Sequence, residues 1–282
     1  MPTTGTDLLH LPFPAEFTPG ARNAVNVCLR VAPHEQVSVI TDEATAEIAA
    51  AVVAELEKLG SPYHAWVLED LAPRPLTNLP RQILDDLESS QVSIFAVQVQ
   101  PNELRSRIQM TDVVNRRKIR HAHMVNINRQ IMLEGMCADF QRVDRLSQKV
   151  VEMVRKASKI RARTGAGTDL TADLNPNYKW LKTSGIITPE KWGNLPGGEI
   201  FTTPGEVNGT FVIDGVVGDY LCAKFGNLQD APLTVRMKQN RLTEAHSEKM
   251  SAAIDGLITA TTSMKTARQR NRRTRMIDSF MA

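Results

Sequence analysis

Glu199 is the residue of this chain whose setting most suggests chemistry. It stands in the run Asn194-Leu195-Pro196-Gly197-Gly198-Glu199-Ile200-Phe201-Thr202-Thr203-Pro204, behind two glycines and between two prolines. Glycine opens backbone angles closed to other residues and proline fixes φ, so the run predicts a carboxylate held by a rigid turn. A carboxylate held in that way suits a metal ion or a proton transfer. On local grounds alone the plainer reading, a glycine-rich surface turn with a solvated Glu, is favoured. His121-Ala122-His123 places two imidazoles on one face of a strand, a candidate metal pair. No cysteine is near it, and Asp112 and Glu134 fall on flanking segments, so satisfied or exposed histidines are the favoured reading there. Gly165-Ala166-Gly167-Thr168-Asp169-Leu170 contains GxG but lacks the third glycine and the following helix pattern of a dinucleotide fingerprint. A tight turn into a strand fits it better, with Asp169 as a turn carboxylate or a polar anchor. The chain has no GxSxG, no GxxxxGK[ST] and no HExxH, which removes the grounds for serine hydrolase, nucleoside triphosphatase and zincin readings.

The elements that must position these residues belong to a chain of 282 residues, 42% hydrophobic and 23% charged, which predicts a soluble globular protein of two domains. No apolar run is long enough to span a membrane, and the first residues lack the basic and apolar regions of a signal peptide, so a cytoplasmic location is expected. Cys28, Cys137 and Cys222 are scattered without CxxC spacing and read as reduced, mostly core cysteines. The net charge of +3 belongs to the end of the chain. Removing the six basic residues and one acidic residue from Lys265 onward leaves −2 on residues 1–264. This Arg-rich stretch has the charge to touch phosphates but Phe280 as its sole aromatic, so a solvated, disordered tail is expected and nucleic acid is not an expected partner.

Periodicity predicts alternating strands and helices through the first half. Gln36–Thr41 reads as a strand, and Ala44–Leu59 as a helix with Ile48, Val52, Leu56 and Leu59 on one face and Gly60 to end it. Strand Tyr63–Leu68, helix Arg81–Leu87, strand Val92–Val97, helix Asn102–Lys118 and strand His121–Asn126 continue the alternation, and a helix Arg142–Lys156 closes it. Such alternation implies a parallel sheet covered on both faces. After residue 157 the segments become short and turn-bounded, with Thr210–Ile213 and Leu233–Met237 among the strands. The expected organisation is an α/β, Rossmann-like domain over 1–157, an incomplete β-rich α+β domain over 158–257, and the basic tail over 258–282.

With Gly167-Thr168-Asp169-Leu170, the Pro196–Pro204 run and Asn208-Gly209-Thr210 in order, the chain resembles the aminopeptidase T family of metallo-aminopeptidases from about residue 35 to about 250. The Pro-x-Gly-Glu-[Ile/Val]-Phe-Thr-x-Pro core carries the resemblance, while the first half matches in architecture. The resemblance implies a cytoplasmic, homodimeric hydrolase that releases N-terminal amino acids from a peptide or small-molecule substrate. It implies two divalent ions, Zn, Co, Mn or Mg, about 3.5–4 Å apart and activating a bridging water. Within it Glu199 is a metal ligand, and no catalytic or cofactor-binding residue is carried over. The same superfamily includes Fe(II) enzymes that open dihydroxypyridine rings, so the fold does not fix the chemistry.

The further ligands that the resemblance calls for downstream, a Gly-Glu and two histidine motifs, have no counterpart. After His246 the carboxylates are Glu248, Asp255 and Asp278, and no histidine follows. Codons for Thr259–Thr266 read in a shifted frame allow a segment ending Asp-Glu-Asn-Ser, which looks like what relatives carry there. A frameshift or truncation from about residue 257 is therefore expected, leaving the chain as written short of metal ligands and inactive or nearly so. Three readings stay open: a metallo-aminopeptidase by descent, an Fe(II) ring-cleaving dioxygenase, and a non-catalytic remnant or interaction protein.

Overall fold

A computed structural model describes residues 6–250, so the tail and the proposed frame change lie outside the described residues. The chain forms two compact units. Of the described residues the first comprises 6–151 and 181–200, and the second 152–180 and 201–250. The sequence reading drew a single cut near residue 157 and set 181–200 in the second domain. That segment folds with the first unit instead.

In chain order the elements are α1 (Thr18–Arg22), running into a π-helical turn over Asn23–Cys28, β1 (Val37–Thr41), α2 (Ala46–Leu59), β2 (Tyr63–Val67), α3 (Leu68–Leu71), α4 (Arg81–Ser89) and β3 (Val92–Val97). Then come α5 (Leu104–Arg117), β4 (Arg120–Val125), α6 (Arg129–Leu133), α7 (Phe140–Val154), β5 (Lys159–Arg163), β6 (Asp169–Leu174), β7 (Leu181–Thr183), β8 (Gly193–Asn194), β9 (Glu199–Phe201), β10 (Pro204–Ile213), α8 (Gly218–Phe225), β11 (Leu233–Lys238) and β12 (Arg241–His246). The first unit is built on a parallel sheet of order β2-β1-β3-β4-β8. β1, β3 and most of β4 are buried on both faces, as crossover helices on either side require. One face packs Val37, Val39, Ile94 and Met124 against α2 and the π-turn, and the other packs Ile40, Phe95 and Val97 against α4 and α5. α2 stops where Gly60 takes φ 72°, a left-handed cap that costs glycine nothing.

β8 explains why residues 181–200 return. Gly193 and Asn194 add a short fifth strand beside Ala122 and His123, while Ile187 and Leu195 enter the first core. A two-residue strand leaves no periodicity to read. The second unit is an antiparallel sheet of order β12-β11-β10-β6-β5. Its buried cluster consists of Leu228, Leu233 and Met250, with partly buried neighbours such as Ile213 and Val235, far smaller than either core of the first unit. Of the three cysteines Cys28 alone is buried. Cys137 is exposed and Cys222 half-buried, which corrects the mostly-core expectation. Among the described residues no helix is long and apolar enough to cross a membrane.

Candidate functional site

Four arrangements in the first unit carry polar chemistry. The turn before Glu199 is rigid, though not for the reason the sequence suggested. Neither Gly197 nor Gly198 has positive φ. A Cβ on Gly197 would stand 2.7 Å from the Gly185 nitrogen and 3.0 Å from the carbonyl oxygens of Asn194 and Thr183, so main chain crowds it from three sides. A Cβ on Gly198 would meet only Val143 Cγ1, at 3.6 Å. Gly185 itself sits at φ 85° against the Phe140 ring, and the Pro196 ring rests on Gly135. Glu199 emerges from this turn at the start of β9, where its side chain is exposed and its carbonyl accepts from Thr183 Oγ1 at 3.4 Å.

A cavity of about 230 Å³ opens beside the turn, between α7 and the segment 182–194. Asp144 lines it and accepts from Lys182 Nζ at 2.6 Å and from Ser184 Oγ. Burial works to raise the Asp144 pKa, but these two donors outweigh it and hold the carboxyl below its usual range. Lys191 and Trp192 also line the cavity. Lys191 Nζ is buried, and that burial pulls its pKa below the ordinary lysine value against the opposing attraction of Glu199.

Behind Trp192 lies the histidine pair. The parallel register of β3 and β4 sets Ser93 beside His121 and Phe95 beside His123. Ser93 Oγ and His121 Nδ1 are 2.8 Å apart, and His121 Nε2 and His123 Nδ1 3.1 Å. His123 stacks on Phe95 at 5.3 Å and 15°, and Trp192 closes over both imidazoles at 5.2 and 6.2 Å. Burial drives the His121 pKa well below its ordinary value, with His123 adding to the effect. Burial and then Arg107 push His123 down to about 4. Both rings are thus neutral near pH 7, and a serine and aromatic faces surround them in place of carboxylates.

The fourth arrangement fills the crevice at the carboxyl ends of β1 and β3, where the strand order reverses and open α/β sheets commonly bind ligands. Here the buried Arg74 guanidinium donates to Asp42 at 2.6 Å, to Glu103 at 2.6 and 2.8 Å, to Glu69 at 3.2 Å and to the Gln98 carbonyl at 2.7 Å. Backbone N–H groups of Thr45, Leu76, Gln98 and Gln100 complete the carboxylates of Asp42 and Glu103. One guanidinium thus faces three carboxylates, and the backbone donors share the excess negative charge of Asp42 and Glu103. Nothing in the sequence marked the network, because Asp42 and Glu103 lie about thirty residues from Arg74 on either side. Asp169, by contrast, is an exposed strand carboxylate in the second unit, paired with Arg161 at 2.8 Å.

These features define the class. The protein is a two-unit α/β molecule in which a parallel Rossmann-like sheet precedes an antiparallel β-rich unit. The chain belongs to the NicX family, 2,5-dihydroxypyridine 5,6-dioxygenase, whose model matches residues 17–256. Among solved structures it is similar to the 2,5-dihydroxypyridine dioxygenase of Pseudomonas putida KT2440, at TM-score 0.60 and 14% identity over 86% of this chain and 70% of that one. It is also similar to wild-type AmpT of Thermus thermophilus, at TM-score 0.59 and 14% identity over 86% of this chain and 74% of that one. At such identity both likenesses speak for the fold alone. No protein of curated function matches the chain in sequence.

The family match overturns the aminopeptidase reading and the hydrolase and metalloprotease activity that went with it. AmpT is a distant relation in fold, and the match over most of the chain is to a dioxygenase family. The described residues do not fit a catalytic metal. Among them no group of three or more His, Cys, Asp or Glu side chains gathers closely enough to hold an ion. Glu199 stands on β9 as a single exposed carboxylate, with Lys191 as its charged neighbour.

Proposed function

We propose that this chain is a ring-cleaving enzyme of the hydroxypyridine type, using dioxygen on a dihydroxylated pyridine. The observation that supports the reading is the family match across residues 17–256. The chemistry asks for a flat, ionisable heteroaromatic substrate and for a metal such as Fe(II). Because the described donors do not assemble a metal site, no step is assigned through a metal, and Glu199 stands as one candidate ligand without companions. The test is oxygen consumption by the purified chain with 2,5-dihydroxypyridine, with and without added Fe(II), alongside its metal content. Oxygen uptake matched by loss of substrate absorbance supports the reading. Absence of uptake under both conditions refutes it for this chain.

The scattered donors favour a second reading, a non-catalytic member that acts by binding or interaction. It requires that the chain retain no stoichiometric metal after dialysis and consume no oxygen. A homodimer, which the family resemblance implies, and a cytoplasmic setting, expected from the sequence, are proposed with either reading, and light scattering of the purified chain tests the dimer.

A further inference from the structure

We propose that the open edge of β5, with the cavity at its entry, is a docking site for an acidic extended peptide that adds a strand to the sheet of the second unit. The inference holds whichever reading of ring cleavage stands, since it uses no residue of the first unit.

Three observations carry it. The first is an unused hydrogen-bonding edge. β5 ends the order β12-β11-β10-β6-β5, and all five of its residues are exposed. The register sets Lys159 opposite Asp173 and Arg163 opposite Asp169, and the ladder continues beyond the strands from Leu174 N to Ser158 O at 2.8 Å and from Thr164 N to Thr168 O at 3.1 Å. In an antiparallel pair the bonded positions alternate, so Ser158, Ile160, Ala162 and Thr164 turn their main chain towards β6. Lys159, Arg161 and Arg163 turn theirs outward, each offering one N–H and one C=O at the spacing of a further strand. The second observation is charge. Residues 155–179 hold six basic side chains and two acidic ones. Asp173 is taken up by Lys159 at 3.2 Å, and Asp169 by Arg161 and Arg163 at 2.8 and 3.4 Å. Arg155, Lys156 and Lys179 have no ion pair among the described residues. Basic side chains along an edge keep copies of one chain from pairing through it. They repel a second β5 and the basic stretch from Lys265 onward alike, and they admit a strand that carries Asp or Glu.

The third is an anchor. A cavity of about 460 Å³ opens between the end of α7 and the turn after β6, where the bond from Leu174 to Ser158 starts the ladder. Val154, Leu174, Tyr178 and Trp180 give it apolar and aromatic walls, and Arg155 and Lys179 stand in its lining with no carboxylate beside them. The turn is preset. Asn177 N and Tyr178 N donate to Oδ1 and the carbonyl of Asn175 at 2.9 and 3.0 Å, and Thr202 Oγ1 donates to the Lys179 carbonyl at 2.9 Å. The room suits one bulky apolar side chain flanked by carboxylates, on the same peptide whose main chain pairs with β5. A polynucleotide would use the charge and the aromatic faces, but it has no main chain to meet the alternating N–H and C=O groups of the edge.

Fluorescence anisotropy of the full chain with the labelled peptide Asp-Phe-Asp-Val-Glu-Val-Glu tests the proposal, beside the scrambled peptide Asp-Asp-Glu-Glu-Phe-Val-Val and an oligothymidylate. The alternating peptide is expected to bind saturably, and the scrambled one, equal in charge, about tenfold more weakly or worse, since edge hydrogen bonds are at stake. Arg155→Glu combined with Lys179→Glu is expected to weaken the alternating peptide by about tenfold or more. In the wild-type chain the peptide is expected to slow hydrogen exchange at the amides of Lys159, Arg161 and Arg163 and to leave those of Ile160 and Ala162, already bonded to β6, as they were. Should the double variant fail to fold, this exchange pattern decides the matter. Equal binding of the two peptides, no binding at millimolar peptide, tighter binding of the oligothymidylate than of the alternating peptide, a folded double variant that binds like wild type, or unchanged exchange at the three outward amides would each overturn it.

Discussion

Protonation of His123 should destabilise the first unit, by an amount that follows from its burial. Its folded pKa is about 4 against an ordinary 6.5. Between these values the unfolded chain binds the proton and the folded chain does not. The contribution to stability is therefore complete above about pH 6.5, drains away as pH falls towards 4, and changes no further below that. The difference between the two pKa values amounts to about 3 kcal/mol in full, of which about 2 kcal/mol is lost between pH 7 and pH 5. His121 shifts in the same direction and adds to the loss. The groups that act on the pair are Ser93, Phe95, Trp192 and Arg107, and among the described residues no carboxylate bonds to either imidazole. The perturbation is His123→Phe, which keeps a flat ring beside Phe95 and removes the titration, with His123→Gln as a second variant. Urea denaturation at pH 7, 6 and 5, followed by near-ultraviolet circular dichroism, should show the wild type losing about 2 kcal/mol more than either variant over this range. Equal pH slopes in wild type and both variants would refute the assignment of buried, neutral histidines.

Arg74→Met should cost about 3–5 kcal/mol, because it strands the buried carboxylates of Asp42 and Glu103, and adding Glu103→Gln should recover part of the loss in a double-mutant cycle. Gly197→Ala should destabilise by about 1–3 kcal/mol through main-chain crowding, while Gly198→Ala stays within about 1 kcal/mol of wild type, a contrast that thermal melts can resolve. Amide hydrogen exchange should be slowest in β1, β3 and β4, which lie between two cores, and faster throughout β10, β11 and β12, which share one small cluster.

The first-unit sheet was legible because its strands and helices repeat with distinct periods. Val92–Val97 reads as a buried strand and is one, and α2 ends at Gly60 as its cap residue implies. What escaped were relations between distant segments. Arg74 meets Asp42 and Glu103 across about thirty residues on either side, and Lys182 and Ser184 meet Asp144 only once residues 181–200 have returned to the first unit. The Gly197 requirement was visible, but its cause, contact with Gly185 and Thr183, was not. The choice between aminopeptidase and dioxygenase could not be made from the turn around Glu199. The two solved relatives superpose equally well on this chain, and only the match along most of its length separates the families.

The return of residues 181–200 sets an order on biogenesis. Because β8 and the core residues Ile187 and Leu195 belong to the first sheet, that sheet cannot close while the chain emerging from the ribosome ends at Val151. Its fifth strand is supplied about forty residues later, after β5 and β6 of the other unit have been made. The β4 edge must stay uncovered through that interval, in a nascent chain whose hydrogen-bonding strand face is open to other chains. A genetic fusion cut at residue 151 would make that interval permanent. Joining residue 151 to residue 181 through a linker would end it, because the fifth strand would then follow directly on the rest of its own unit.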